Sequence, residues 1–440
     1  MWYDQKSQIE FADLLCSKVN ALEEEEEVLK SSMAYGTVVE GIFNAHDRKK
    51  LSQTVTEVLL TTAYVSNTKK VFHGVKKAKT SEIGWFLPLK TISYDTLLDS
   101  LLAYPKLLNK NEEQLFGPYY KLREVLKKYK AIKQSGDWGD LEVDPSVAYY
   151  NNNDSSKTIG QIKHCLAVLG DLKRDSGSRL YDEELMAGVI SFKKRNGYKT
   201  NKILSTWHVQ RMNNSIKKHI SSIMVTMEHC RWIDPLLTKV PEYIFINIPA
   251  FKPIYGKKEL ESTLLVGKNR TETAVFSGSI SSILFSPYWI VPRSIILNEI
   301  KQAIFQDENY LESHDMEWNN RNVIKRHGVK NPMGLVKFLF PNSYIIYLHG
   351  TSYKNLFEFD YRAFSRGCIN MEKAKKLAIL ILKDDPNWTP KHVNEALNGG
   401  SKPFTYLKTK SQYKLAILLP GFLMTEPLIF IRIYTKETTA

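Results

Sequence analysis

Two residues of this 440-residue chain have the types and spacing of a thiol nucleophile and its base. His349 stands in Tyr347-Leu348-His349-Gly350-Thr351, and Cys368 follows 368 − 349 = 19 residues later, in Arg362-Ala363-Phe364-Ser365-Arg366-Gly367-Cys368-Ile369-Asn370. A cysteine attacks as its thiolate, so it needs a proton acceptor and a positive environment. An imidazole supplies the first. A helix N-terminus just after Cys368 would supply the second. Glycine at 367 allows a tight turn whose amide N–H groups can face a developing oxyanion, and the Gly350 carbonyl can orient the imidazole. Spacing alone leaves the ordinary reading open, because a lone cysteine is usually a small buried hydrophobe and a Cys/His pair is weakly specific. Cys16, Cys165 and Cys230 lie in helical patterns without a glycine turn and are expected in the core.

The elements that must carry these residues change character along the chain. Residues 1 to about 135 read as helical, with an acidic run at 23–27 expected on a solvated face. Within 51–71, apolar residues at Leu51, Val55, Val58, Leu59 and Ala63 recur near the helical period. Further helices are expected over 94–108 and 115–132, followed by a loop or linker over 135–156. Residues 157–215 read as three short helices around a small core, with stops at Gly170-Asp171 and Asn196-Gly197. From about 240 the period becomes two, predicting strands over 243–248, 262–266, 280–285, 344–348, 414–419 and 428–434. A helix is expected over 372–383, directly behind Cys368.

Lys and Arg outnumber Asp and Glu by 61 to 47, a formal charge of +14 that favours a polyanionic partner without naming it. Four cysteines and no CxxC or HxxH cluster exclude a disulfide scaffold and offer no metal site. The most apolar segment, 415–431, is broken by Pro420, Gly421, Glu426 and Pro427 and is too short to span a bilayer, so no transmembrane segment is expected. The lysines are spread along the chain without a nucleic-acid recognition motif, and no nucleic-acid partner is expected.

His349-Gly350-Thr351 and Ser365-Arg366-Gly367-Cys368-Ile369-Asn370 resemble the signature of the L,D-transpeptidase (YkuD-type) catalytic domain. The likeness continues in Phe245-Ile246-Asn247-Ile248-Pro249-Ala250-Phe251, in Phe285-Ser286-Pro287-Tyr288-Trp289-Ile290-Val291-Pro292-Arg293, and in Asn331-Pro332-Met333-Gly334-Leu335-Val336-Lys337-Phe338, which are similar to the large murein enzymes. Residues 157–215 are similar to a three-helix peptidoglycan-binding domain, and Thr56-Glu57-Val58-Leu59-Leu60-Thr61-Thr62-Ala63-Tyr64 looks like the helical scaffold of the same proteins. The chain departs from the family at Arg366, where His is common, and 414–434 match loosely.

The resemblance implies a multidomain α+β protein: a helical scaffold over 1–150, a peptidoglycan-binding domain over 157–215, and a mostly β catalytic domain over 240–440 with a capping subdomain inserted at 296–330. It implies cross-linking of peptidoglycan stem peptides through a Cys368 acyl-enzyme. The terminal D-Ala of a tetrapeptide donor would leave, and a diaminopimelate amine would be the acceptor. His349 would act as base and then acid, with Gly350 orienting it. Amides around Arg366, Gly367 and Cys368 would hold the oxyanion, and Asn370 and Arg362 would stand behind the nucleophile or against the substrate. Ser365, Tyr288, Trp289 and Trp318 would contact the peptide. No cofactor or metal is implied, carbapenems would acylate Cys368, and the location would be the periplasm or cell envelope. The opening Met1-Trp2-Tyr3-Asp4-Gln5-Lys6 shows no export signal, so a leader is expected to be missing from this start. Stem-peptide trimming by hydrolysis, or wall binding without catalysis, are the alternatives.

Overall fold

The protein's structure is a computed structural model that describes residues 52–73, 86–87, 115–234, 243–255, 260, 262–399, 404–407 and 414–418, with single positions between 93 and 103. The readings for Cys16, the acidic run at 23–27, most of 94–108, and 428–434 lie outside the described residues.

Helix α1 (Gln53–His73) forms where the period predicts it, but it turns a different face inward. Thr56, Leu60 and Tyr64 are buried at i, i+4 and i+8, while Val55 and Val58 are exposed. Thr56 can occupy the buried stripe because its hydroxyl donates to the Ser52 carbonyl at 3.1 Å. Helix α2 (Pro118–Ser135) opens on a proline and stops at left-handed Gly136. The next three helices follow the sequence stops. The Ser156 hydroxyl caps α3 (Lys157–Leu169), which ends at Gly170. The Asp182 carboxylate caps α4 (Glu183–Arg195), and α5 (Thr206–Met212) begins after Ser205. Helix α6 (Ile216–Trp232) lies against α1 and α2.

The short helices do not enclose a small core of their own. Ile162, Leu166, Leu185, Val189 and Val209 join Leu122 and Leu126 of α2 and Ile223 and Met227 of α6 in one core. That core extends to Phe245, stacked on Phe116 with centroids 5.9 Å apart. The expected loop at 135–156 carries strand β1 (Tyr149–Tyr150), paired with β2 (Leu204–Ser205). Cys165 and Cys230 are buried among apolar residues, as expected.

Two larger sheets make the β region. One is built from β3 (Tyr243–Asn247), β4 (Lys252–Tyr255), β6 (Ser277–Ser279) and β16 (Lys414–Leu418), in the order β4-β3-β16-β6. The other has seven members: β5 (Leu264–Gly267), β7 (Ser282–Phe285), β11 (Val336–Leu339), β12 (Leu348–His349), β13 (Ala363–Ser365), β14 (Ile369–Met371) and β15 (Phe404–Tyr406). Their order across the sheet is β13-β5-β14-β12-β11-β7-β15. Alternation along these strands sends Leu264, Val266, Ile283, Phe285, Val336, Phe338, Leu348 and Ile369 into one core, covered by α9 (Ala374–Ile381) and α10 (Pro390–Leu397). The intervening residues face the other way.

Between β7 and β11 the chain leaves this sheet. Strand β8 (Trp289–Ile290) pairs with β10 (Asn322–Lys325), which pairs with β9 (Met316–Asn319). A helical turn at Arg293–Ile295 runs through a π-turn at Ile296–Ile300 into α7 (Lys301–Gln306), then α8 (Tyr310–Ser313). Val291, Ile295, Ile296, Ile300, Met316 and Val323 form a separate core, so 296–330 belong to a folded insertion with an apolar centre of its own.

Candidate active site

The site is the face of the seven-stranded sheet that the core does not use. Antiparallel β11 and β12 place Lys337 opposite His349, and parallel β12 and β14 place His349 opposite Asn370 and Leu348 opposite Ile369. Tyr347 and Cys368 immediately precede these two strands. The period of two puts Lys337, His349 and Asn370 on one face, while Val336, Phe338, Leu348 and Ile369 are buried on the other. Lys337 also reaches the Tyr347 ring and acts on Cys368 there.

His349 is buried, and its Nδ1–H donates to the Gly350 carbonyl at 2.5 Å, which leaves the lone pair on Nε2. Asn370 Nδ2 lies 3.1 Å from both ring nitrogens. Burial, reinforced by the Lys337 charge and opposed by the carbonyls of Gly350 and Met333, lowers the His349 pKa to about 4, so the ring is a neutral proton acceptor at neutral pH. Gly350 is fixed from behind by Gly334, at φ +62°. A Cβ on Gly334 would fall 2.5 Å from the Thr351 nitrogen and 2.6 Å from the Gly350 carbonyl carbon, so only glycine allows this approach.

Cys368 is half-buried, and its Sγ points to the Ile345 carbonyl at 3.9 Å. The Asn370 amide nitrogen, rather than the thiol, lies against the His349 ring. The turn before it is built by Ser365. Its hydroxyl donates to the Cys368 carbonyl at 2.5 Å and accepts from the Gly367 amide at 3.1 Å. Gly367 takes φ +112°, and its carbonyl accepts from the buried Thr273 hydroxyl at 2.8 Å. Burial pushes the Cys368 thiol up; the Tyr347 amide and Lys337 act in the opposite direction.

Three expectations change here. No helix follows Cys368 directly, because Ile369 to Met371 pair with β12 and β5 before α9 begins at Ala374. The helix dipole therefore does not bear on the thiol. The expected strand over 344–348 shrinks to Leu348–His349. Asn342 bends the preceding residues by accepting from the Tyr344 and Ile346 amides and donating to the Phe340 and Ile346 carbonyls, with Ile345 at φ +55°. The Gly367 amide is engaged by Ser365, so neither it nor the Ser365 hydroxyl is left facing outward.

The remaining sequence-predicted residues divide. Arg362 is buried, donating to the Phe359 carbonyl and lying over the Phe251 ring, 5.1 Å to its centroid. Arg366 is exposed and pairs with Glu299 of the insertion at 3.1 Å. Trp289 packs on the insertion's core, while Tyr288 and Trp318 are exposed around it. These three aromatics belong to the insertion, not to the Cys368 face.

The sequence patterns assign no role to Lys337 or Tyr347. The available signal is a charged residue between two apolar ones in Val336-Lys337-Phe338, which marks the outward position of a strand. Asn331 is a further residue to which the sequence patterns assign no role. It is buried, and its amide joins the Pro287 and Arg326 carbonyls, both at 3.0 Å, closing the two ends of the insertion on each other.

Among the described residues no group of three or more His, Cys, Asp or Glu is placed to hold a metal, and no helix is long and apolar enough to cross a membrane. The L,D-transpeptidase catalytic domain family, YkuD, matches residues 241–389. A curated Haemophilus influenzae protein named "Putative L,D-transpeptidase" is 30% identical over 187 residues, which cover 37% of this chain and 38% of that protein's length. An L,D-transpeptidase from Stackebrandtia nassauensis is similar at 11% identity and TM-score 0.23, over 64% of this chain and 97% of that one. An Enterococcus faecium L,D-transpeptidase is similar at 9% identity and TM-score 0.22, over 47% and 65%.

Proposed function

We propose, on the match of residues 241–389 to the L,D-transpeptidase catalytic domain family, that the chain is a cysteine-dependent L,D-transpeptidase that cross-links peptidoglycan stem peptides in the cell envelope. The observation that supports this reading most is the shared face of Cys368, His349 and Asn370, with His349 neutral and its lone pair on Nε2.

Cys368 turns from the Ile345 carbonyl toward Nε2 and gives up its proton there, and the sulfur bonds the carbonyl carbon preceding the terminal D-Ala of a tetrapeptide. The C–N bond breaks, and the amine of D-Ala leaves with the proton from His349. The side-chain amine of a second diaminopimelate then attacks the thioester. It passes a proton to His349, forms the new C–N bond and releases the sulfur, which is reprotonated. The amides of Arg366 and Cys368 steady the oxyanion, since that of Gly367 is engaged elsewhere. The 157–215 helices bind the wall. The insertion caps the donor groove through Glu299 and Arg366, and Tyr288 and Trp318 meet the peptide from it.

Incubating the protein with purified tetrapeptide muropeptides and separating the products by mass spectrometry tests this. Cross-linked dimers with release of one D-Ala per link are expected, and Cys368→Ala should lose them while still binding sacculi. Tripeptide monomers without dimers would replace transfer by hydrolysis, and unchanged dimers from Cys368→Ala would refute the nucleophile.

A further inference from the structure

With no helix end behind Cys368, the positive environment a thiolate needs must come from another element. The catalytic face holds one candidate. Lys337 is half-buried on β11, directly across from His349, and its Nζ stands 3.6 Å from the centroid of the Tyr347 ring. Tyr347 directly precedes β12 and Cys368 directly precedes β14, and the Tyr347 backbone amide acts on the Cys368 thiol. The ammonium makes no ion pair with a carboxylate among the described residues, and the titrating group whose charge acts on it is Cys368.

We propose that Lys337 is a positioning residue for the nucleophile: held over the Tyr347 ring on the Cys368 face, its ammonium stabilises the sulfur as the attacking thiolate. The inference rests on the reading of Cys368 as nucleophile. The same cation serves both partners of the pair. It opposes the burial that pushes the thiol up, and it adds to the burial that keeps His349 neutral and able to accept the proton. The ring fixes the ammonium by cation–π attraction without neutralising it, which a carboxylate partner would do. The other groups facing the sulfur's surroundings are accounted for. His349 is neutral, Tyr347 offers its backbone amide, and Arg366 is turned outward onto Glu299.

The test is the pH profile of Cys368 alkylation by iodoacetamide in the full-length protein, read by peptide mass mapping so that the other cysteines do not interfere. Lys337→Met should move the profile to higher pH, and alkylation near neutral pH should slow by roughly tenfold for every pH unit that the profile moves. Lys337→Arg, which keeps the charge, should restore most of the rate. Should the Met variant not fold, Lys337→Gln carries the same comparison. A profile that does not move in the uncharged variant overturns the proposal, as does one that moves equally in Lys337→Arg. An unchanged profile with a raised KM for muropeptides assigns Lys337 to substrate carboxylates instead. A displaced profile in a protein that forms no dimers leaves the thiolate role standing and refutes only the transpeptidase reading.

Discussion

The helical unit and the seven-stranded sheet treat their cations in opposite ways. On α3 and α4, Lys163 is paired with Asp182 and Arg195 with Asp171, and Lys193 donates to the Asn201 side chain at 2.5 Å and to the Ile203 carbonyl. In the sheet, Lys337 has an aromatic face and a thiol for neighbours. Desolvating a charge costs several kcal/mol unless a partner compensates it. Where the cation's work is structural, a partner is supplied. Where its field is to act on a neighbour, the partner is left out and the side chain stays half in solvent. Removing partners in the two regions should therefore have opposite signatures.

The largest stability loss is expected at Asp171→Asn, which strands the buried Arg195 guanidinium. A drop of ~3–5 kcal/mol in the unfolding free energy should appear in urea titration. Lys337→Met should cost no more than ~1 kcal/mol in the same assay, since it strands no opposite charge. Equal losses would erase the contrast between the regions. Gly334→Ala comes next: strain at φ +62° together with the close approach to Gly350 and Thr351 should cost at least ~2 kcal/mol and displace His349. Its circular-dichroism melt should fall while the 157–215 helices keep their signal.

A pH effect of similar size crosses both regions. Burial lowers His219, His229 and His349 to about 4, below the ~6.5 of an unfolded chain. Between those values the unfolded state binds more protons, so stability is fully present above pH ~6.5 and is lost as pH falls toward 4. Each histidine contributes up to ~1.4 kcal/mol per pH unit in that window. Urea unfolding at pH 7, 5.5 and 4.5 checks the slope, and a flat dependence would mean that the three rings are solvated. The smallest effect is expected at Arg366→Ala, whose exposed pair with Glu299 contributes under ~1 kcal/mol. Its melting temperature should barely change, and any change in muropeptide KM isolates the insertion's contact with the turn.

How much of this is legible in the sequence follows from what each pattern encodes. The stops at Gly170 and Asn196-Gly197 mark helix ends because left-handed glycine and capping side chains act locally. The period of two marks β3, β5, β7 and β16 for the same reason. The buried face of α1 differs from the expected one because Val55 and Val58 fit the period as well as Leu60 and Tyr64 do; only packing against α6 decides between them. The 157–215 core looks small in the sequence because its partners, α2 and α6, lie outside that stretch. At the site, Cys368 and His349 stand out by type, and the short β14 behind Cys368 is hidden by a helical-looking run that begins only at Ala374. Lys337 is invisible as a site residue because its place depends on pairing with His349, a contact between residues that no local pattern links.

The nucleophile itself is tested most directly by carbapenem acylation of the intact protein, followed by mass measurement and peptide mapping. One adduct per chain, located on Cys368 and absent from Cys368→Ala, is the predicted result. No adduct, or one that persists in Cys368→Ala, would contradict the assignment of this sheet face as the active site.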